Sequence, residues 1–310
     1  MGRPRILSVL DLPKPVVDIF RQRADLVSGR LEDAAEIRPD VVLCSIGAPR
    51  LDAMVIGRLP SSVKAIATYS VGHDHVDLSA AAARDIAVFN TPGVLGDAVA
   101  EAALLLILGA ARRVTESVAL LREGRWEGWT PGQLLGVGLA GKTLGILGMG
   151  GVGRRVAVRA RSFGMDIAYH NRRRLPHDDA RFFENPRHLI GESDVLLLAW
   201  PSVPETRRFI AADTLALAKR ELILVNIGRG DLVNDSDLID ALQDGRIRAA
   251  GLDVFDGEPN LNPAYLELPN AFLLPHIGSS TWEARLAMAT ILLDAIDAHR
   301  RGEFPENRLA

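Results

Sequence analysis

Residues 142–174, KTLGILGMGGVGRRVAVRARSFGMDIAYHNRRR, decide how the rest of the chain is read. Thr143 to Leu147 is a short apolar run, long enough for a buried parallel strand. It leads into Gly148-Met149-Gly150-Gly151-Val152-Gly153, which fits the G-x-G-x-x-G pattern. The first glycine permits a tight turn, the second lets backbone approach a pyrophosphate, and the third lets helix pack close on strand. A helix is expected from here, with Val152, Val156 and Ala160 on one face and its N-terminal amides favouring phosphate. Asp166 to His170 then reads as the next strand. In a chain with 28 glycines such a loop alone is weak evidence. Strand before, helix after and a second strand beyond make dinucleotide binding the reading, with Gly148, Gly150, Gly151, Val152 and Gly153 as cofactor residues.

The tip of the second strand bears on which dinucleotide. NAD sites place Asp or Glu about 20 residues past the first glycine, to bind the ribose 2′-hydroxyl. Here Asn171 stands 23 residues after Gly148, followed by Arg172, Arg173 and Arg174, with no carboxylate among them. Arginines there can pair with a 2′-phosphate; the bland alternative is a solvated basic turn. The expectation is NADP, with NADPH preferred over NADH.

A length of 310 residues suggests about two domains. The formal charge of −3 gives no hint of nucleic-acid or membrane partners. The single cysteine, Cys44, excludes an internal disulfide and a Cys-based zinc cluster. It follows Val41-Val42-Leu43 and reads as a small buried strand residue; no metal site is expected. The N-terminus MGRPRILSVLDLPKP lacks a secretory pattern, and the apolar run Ala102 to Ala111 is too short to span a bilayer. A soluble, cytoplasmic protein is expected.

Residues 1 to about 96 alternate strands (Ile6–Leu10, Val41–Ser45, Lys64–Thr68, Ile86–Phe89) with helical patterns (Pro15–Ala24, Leu51–Leu59, Leu78–Arg84). Alternation of this kind argues for a parallel sheet covered on both faces. From Asp97 to about Glu123 the pattern is helical throughout, with Leu104, Leu105, Leu108 and Ala111 as an apolar stripe. A loop-like segment with Trp126 and Trp129 follows; the pair forms a contact surface or an active-site rim, or else covers the molecule's own core. Beyond Arg174, strands are expected at Asp194–Trp200, Glu221–Asn226, Ala249–Asp253 and Ala271–Leu274. Helices fall between them, notably Ser236–Gln243, closed by Gly245. A last helix runs Trp282–Arg301 and is expected to return to the first domain. The fold class is therefore α/β, with two doubly wound parallel-sheet domains.

Three polar groups follow successive strands of the second domain: Asn226 to Gly230, Gly251 to Pro259 and Pro275 to Ser280. In a doubly wound sheet the carboxyl ends of the strands carry the site. Arginine binds a carboxylate bidentately and can polarise a carbonyl; histidine exchanges a proton near neutral pH. A carboxylate beside a histidine orients it and favours its protonated form. With a nicotinamide, the set Arg229, Glu258 and His276 suits reduction of a 2-keto acid. Taken singly, each also reads blandly, as a turn salt bridge, a solvated acid and a capping histidine.

At these residues the sequence resembles the D-isomer-specific 2-hydroxyacid dehydrogenases. TYSVGHDHVDL (68–78), NTPGVLGDAVAE (90–101), the glycine loop, PSVPETRRFI (201–210), NIGRGDLV (226–233), AAGLDVFDGEP (249–259) and LLPHIGSST (273–281) all look like family signatures, in family order. TYSVGHDH, the basic NRRR turn and the paired tryptophans are most similar to the glyoxylate/hydroxypyruvate reductases. The resemblance implies Arg229, Glu258 and His276 as catalytic residues. It implies that the amides of Val71 and Gly72, with Arg229, His276 and Trp129, bind the substrate. Pro201, Thr206, Ile227, Gly228, Arg229, Asp253, His276, Gly278 and Ser279 would join the glycine loop, Asn171, Arg172 and Arg173 around the cofactor, with Asp253 meeting the nicotinamide carboxamide.

The resemblance also implies a Rossmann dinucleotide-binding domain (98–280) inserted in a flavodoxin-like substrate-binding domain (1–97 plus 281–310). It implies a homodimer through a segment near 112–142. One departure stands out: family members commonly have Thr where this chain has Gly96, a somewhat poorer helix cap, which implies a softer hinge or an altered nicotinamide contact. No regulatory tail follows Ala310, so the long type of phosphoglycerate dehydrogenase is not expected. The leading expectation is NADPH-dependent reduction of glyoxylate or hydroxypyruvate to the D-2-hydroxy acid. The alternatives are a hydroxyphenylpyruvate-type reductase, separated by pocket residues around Ile46–Pro49 and Trp126–Trp129, and a dinucleotide-sensing co-repressor-like binding protein.

Overall fold

The computed structural model describes residues 2–46, 49–176 and 179–310. The chain forms two compact units, Met1–Leu95 with Ser280–Ala310, and Gly96–Ser279. Of the expected pocket loop at Ile46–Pro49, Gly47 and Ala48 lie outside the described residues.

In the first unit five strands, β1 (Arg5–Ser8), β2 (Asp25–Ser28), β3 (Val41–Cys44), β4 (Ala65–Thr68) and β5 (Ala87–Phe89), form a parallel sheet in the order β2-β1-β3-β4-β5. This is the flavodoxin-like doubly wound order, reversing between β1 and β3. Every residue of β3, β4 and β5 is buried, as a sheet covered on both faces requires. Between the strands run α1 (Lys14–Arg23), α2 (Ala34–Ile37), α3 (Ala53–Arg58) and α4 (Leu78–Ala82). Pro15 pre-sets the first turn of α1. Asp52 caps α3 through the Val55 N–H and Asp77 caps α4 through the Ala80 N–H, both at 2.9 Å. The C-terminal helix (Trp282–Arg300) packs Met288, Leu292 and Ile296 against Val16 and Phe20 of α1, and Arg23 bridges Asp294 and Asp297. Strand β2 is an addition to the sequence reading. It is an edge strand with only Leu26 buried, so its apolar pattern is too thin to read.

The second unit opens with α5 (Gly96–Ala111) and α6 (Val114–Arg122). It continues through β6 (Thr143–Leu147), α7 (Gly151–Arg161), β7 (Asp166–His170), β8 (Arg181–Phe182), α8 (Pro186–Glu192), β9 (Val195–Leu198), α9 (Ala212–Leu215), β10 (Ile223–Asn226), α10 (Asp235–Gln243), β11 (Ala249–Leu252) and β12 (Ala271–Leu273). Among the described residues, seven parallel strands run in the order β12-β11-β10-β9-β6-β7-β8, the Rossmann arrangement with one further strand beside β11. Among the described residues no helix is long and apolar enough to cross a membrane.

Two expectations need correction here. The helical stretch after Asp97 is two helices, not one. Arg113 takes the left-handed conformation (φ 55°) and the Ala111 carbonyl accepts from Val137 N–H at 3.0 Å, so the intrahelical ladder is interrupted. Arg113 then restarts the helix with a bidentate pair to Glu116 at 2.7 and 2.6 Å. The buried face of α5 is also rotated from the expected stripe. Ala100, Ala103, Leu106, Ile107, Ala110 and Ala111 face the core, whereas Leu105 is exposed and Leu104 and Leu108 only pack at its edge. Small residues win the core face because the helix lies close on the sheet, with Leu106 backbone against Gly251.

Candidate active site

Strand β6 is followed by Gly148, whose φ of +105° is a conformation only glycine adopts without strain. The turn is tied to β7: Gly148 N–H donates to His170 O at 3.1 Å, and Met149 N–H to Asn171 Oδ1 at 2.8 Å. A Cβ at Gly153 would lie 2.3 Å from Gly148 O, so the helix can press on the turn only with glycine there. At Gly150, the N-cap of α7, a Cβ would meet nothing within 4 Å. The loop is thus braced on its inner side and open at the helix N-terminus, where orphan N–H groups and the helix dipole favour an anion. These residues fit the pyrophosphate of a dinucleotide.

The turn after β7 is braced as well, since Leu175 N–H donates to the Tyr169 hydroxyl at 3.0 Å. Arg172, Arg173 and Arg174 are exposed on it. Asn171 is half-buried and spends its carbonyl on the glycine loop, so its structural role goes beyond the cofactor contact the sequence suggested. After β9, the Thr206 hydroxyl closes the loop, accepting from Val203 N–H at 3.0 Å and donating to Pro201 O at 2.8 Å.

The loops after β10, β11 and β12 hold one another. Asn226 Oδ1 accepts from Gly228 N–H at 3.0 Å and its amide donates to Arg229 O at 2.9 Å, fixing the segment that contains Ile227. Gly230 abuts Phe255 so closely that a Cβ would lie 1.8 Å from its carbonyl carbon. The Arg229 loop and the Glu258 loop are therefore in backbone contact. Asp253, only 3% exposed, grips the third loop: its backbone carbonyl accepts from His276 N–H at 2.8 Å. Its carboxylate accepts from the Ile277 and Gly278 N–H groups at 2.7 and 2.8 Å, with Ser279 next in the chain.

This grip holds His276 at φ +54°, a left-handed conformation that costs a non-glycine residue about 1–3 kcal/mol. The imidazole Nδ1 meets Glu258 Oε2 at 2.6 Å, and Glu258 Oε1 accepts from Phe255 N–H at 2.7 Å. With Nδ1 committed to the carboxylate, Nε2 is the nitrogen left for proton exchange. Burial opposes ionisation of Glu258. The His276 and Phe255 hydrogen bonds, with the charges of His276 and Arg229, outweigh it and hold the carboxyl below its ordinary range. At Asp253 burial prevails over its two backbone hydrogen bonds, and that carboxyl is raised. Two neighbouring carboxyls pushed in opposite directions mark different roles, one ionised beside the histidine and one clamping backbone.

In the first unit, Ser70 O accepts from Thr91 N–H at 3.1 Å and Val71 O from the Asn90 amide at 2.9 Å. Both carbonyls are taken, and in trans peptides the N–H points opposite the carbonyl. The Val71 and Gly72 N–H groups therefore each point away from a carbonyl that is already bonded. Ser70, Asn90 and Asn226 lie inside stretches quoted from the sequence, where no supporting role is assigned to them. Asn90 and Asn226 open two of the quoted motifs, so their presence was visible and their bonding was not. Trp126 and Trp129 are exposed, Trp129 at 79%, which decides against their covering the core of their own unit.

Residues 104–278 match the family described as D-isomer specific 2-hydroxyacid dehydrogenase, NAD binding domain. A glycerate dehydrogenase of Hyphomicrobium methylovorum is 40% identical over 96% of both chains. A glyoxylate reductase of Thermococcus litoralis is 41% identical over 88% of this chain and 84% of its own. An NADPH-dependent glyoxylate/hydroxypyruvate reductase of Sinorhizobium meliloti, solved with NADP and malonate, superposes with a TM-score of 0.89. It is 34% identical over 100% of this chain and 97% of that one.

Proposed function

The chain belongs to the D-isomer-specific 2-hydroxyacid dehydrogenase family, an oxidoreductase family using a nicotinamide dinucleotide, and on that premise we propose that it reduces glyoxylate or hydroxypyruvate with NADPH. The observation that carries the chemistry is the Glu258–His276 pair, whose Glu258 loop is in backbone contact with the Arg229 loop. The relatives' names support the substrate class, since glycerate is the reduced form of hydroxypyruvate. The exposed, acid-free turn Asn171–Arg174 supports the phosphorylated cofactor.

The second unit is the proposed dinucleotide-binding domain and the first the substrate-binding domain. The glycine loop would hold the pyrophosphate, and Arg172 and Arg173 the 2′-phosphate. Pro201, Thr206, Ile227, Gly228, Gly278 and Ser279 would flank the nucleotide, and Asp253 would receive the carboxamide. The bound cofactor supplies a hydride to the keto carbon. Arg229 pairs with the substrate carboxylate and polarises the carbonyl, and the amides of Val71 and Gly72 are further donors to that carboxylate. His276 Nε2 gives its proton to the carbonyl oxygen while Glu258 holds Nδ1, so the product is the 2-hydroxy acid. The exposed apolar residues Leu121, Trp126, Trp129 and Leu135 support a homodimer through 112–142, with Trp129 reaching a substrate site.

Steady-state rates with glyoxylate, hydroxypyruvate, hydroxyphenylpyruvate and pyruvate, each with NADPH and NADH, test this reading. The highest kcat/KM is expected for glyoxylate or hydroxypyruvate with NADPH. A higher value for hydroxyphenylpyruvate overturns the substrate assignment, and no turnover with any overturns the enzyme.

A further inference from the structure

We propose that Arg155 is a second-turn ligand of the cofactor pyrophosphate, and that Gly96 lacks a side chain in order to admit its guanidinium. A Cβ built on Gly96 would lie 2.8 Å from Cδ, Nε and Cζ of Arg155 at once, closer than real contacts allow. The Arg155 side chain therefore runs directly across the first residue of α5. From there it folds back along α7, and Nη1 donates to Gly151 O at 3.0 Å. A Cβ on Gly151 would be 3.6 Å from that same Nη1. The guanidinium thus lies in contact with the side-chain position of Gly151 on the first turn of α7, beside the open helix N-terminus.

Its surroundings favour an incoming anion. Asp97 lies 3.4 Å from Arg155 Nε and is also bonded by Arg159 Nη2 at 2.7 Å, so one carboxylate is shared by two guanidinium groups and a net positive charge remains. Arg155 is 37% exposed, which leaves donors facing solvent. Five N–H donors in a planar fork suit phosphate oxygens. A side chain at position 96 would push the flexible end of Arg155 off this path, so the glycine and the arginine are paired.

This inference rests on the glycine loop holding the dinucleotide, and it is independent of whether NADPH is preferred. The pyrophosphate is common to both cofactors, so loss of Arg155 weakens both alike, whereas a 2′-phosphate ligand affects NADPH alone. Dissociation constants for NADPH and NADH are measured by titration calorimetry for the intact enzyme, Arg155→Ala, Arg155→Lys, Gly96→Ala and the double variant Gly96→Ala/Arg155→Ala. Arg155→Ala is expected to weaken both cofactors by a similar factor, roughly 10- to 150-fold for one charge-assisted contact, with Arg155→Lys in between. Gly96→Ala should weaken binding in the intact background and change it less than twofold once Arg155 is gone. Arg155→Ala binding both cofactors within twofold of the intact enzyme overturns the proposal, as does an undiminished Gly96→Ala effect in the double variant. Thermal melting of the cofactor-free variants identifies any that fail to fold, and Arg155→Ala, which removes a partly exposed side chain, decides the matter alone in that case. An intact enzyme preferring NADH would overturn the NADPH reading and leave this one standing.

Discussion

His276 and Glu258 are joined by a 2.6 Å contact between Nδ1 and Oε2, and both ends of that contact are fixed by backbone. The Phe255 N–H holds the carboxylate, and Asp253 holds the loop that keeps His276 in its left-handed conformation. The pair is therefore set before substrate arrives, which is what a proton donor positioned at a carbonyl requires.

Replacing the histidine tests the donor. His276→Ala should lower kcat by roughly 10²- to 10⁴-fold, the usual contribution of a positioned acid or base. NADPH should still bind, because the glycine loop and the arginine turn are untouched. Near-normal reduction rates would end the assignment.

Glu258 is tested through pH and stability. Its folded carboxyl is held below its ordinary value of 4.5, so the ionised form is stabilised by folding. That contribution is fully present above about pH 4.5 and is lost as pH falls through the lower folded value. Melting temperature should therefore drop more steeply between about pH 5 and 3 in the intact protein than in Glu258→Gln. Parallel curves would show that the pair adds no pH-dependent stability.

The arginine turn separates the two cofactors. Arg172→Ala should raise KM for NADPH by roughly 10- to 150-fold, the worth of one hydrogen bond to a charged group, and leave NADH nearly unchanged. Equal rises would place Arg172 away from the 2′-phosphate.

Asp253 is expected to be a stability residue as well as a site residue. Asp253→Ala strips the acceptors from two backbone N–H groups, and the buried one, at Gly278, costs about 1–3 kcal/mol when orphaned. Urea unfolding should show a loss within that range or above it, and turnover should fall because His276 loses its grip. An unchanged midpoint would mean that the loop is held without Asp253.

Assembly is read by sedimentation. The exposed row Leu121, Trp126, Trp129 and Leu135 should be buried in a dimer at micromolar concentration, and Trp129→Glu should shift the protein toward monomer. A monomeric intact protein would remove the assembly proposal.

The sequence by itself determined the two parallel sheets, the glycine turn and the three loops with Arg229, Glu258 and His276. Those features rest on local signals: strand-length apolar runs, helix-period stripes, and glycines at fixed offsets before a helix. It also exposed the acid-free turn at Asn171–Arg174, since a missing carboxylate is visible without a structure. Tertiary structure decided what depends on partners far away in the chain. The edge strands β2 and β8 exist through pairing, with too few buried residues to carry a pattern. The break at Arg113 follows from Val137 capturing the Ala111 carbonyl. Asn171 turns its carbonyl onto the glycine loop, and Asp253 clamps the His276 loop, because hydrogen-bond partners are assigned by space and not by spacing. Gly96 shows the limit most plainly: read along the chain it is a poorer helix cap, and only packing reveals the arginine, 59 residues later, that fills its place.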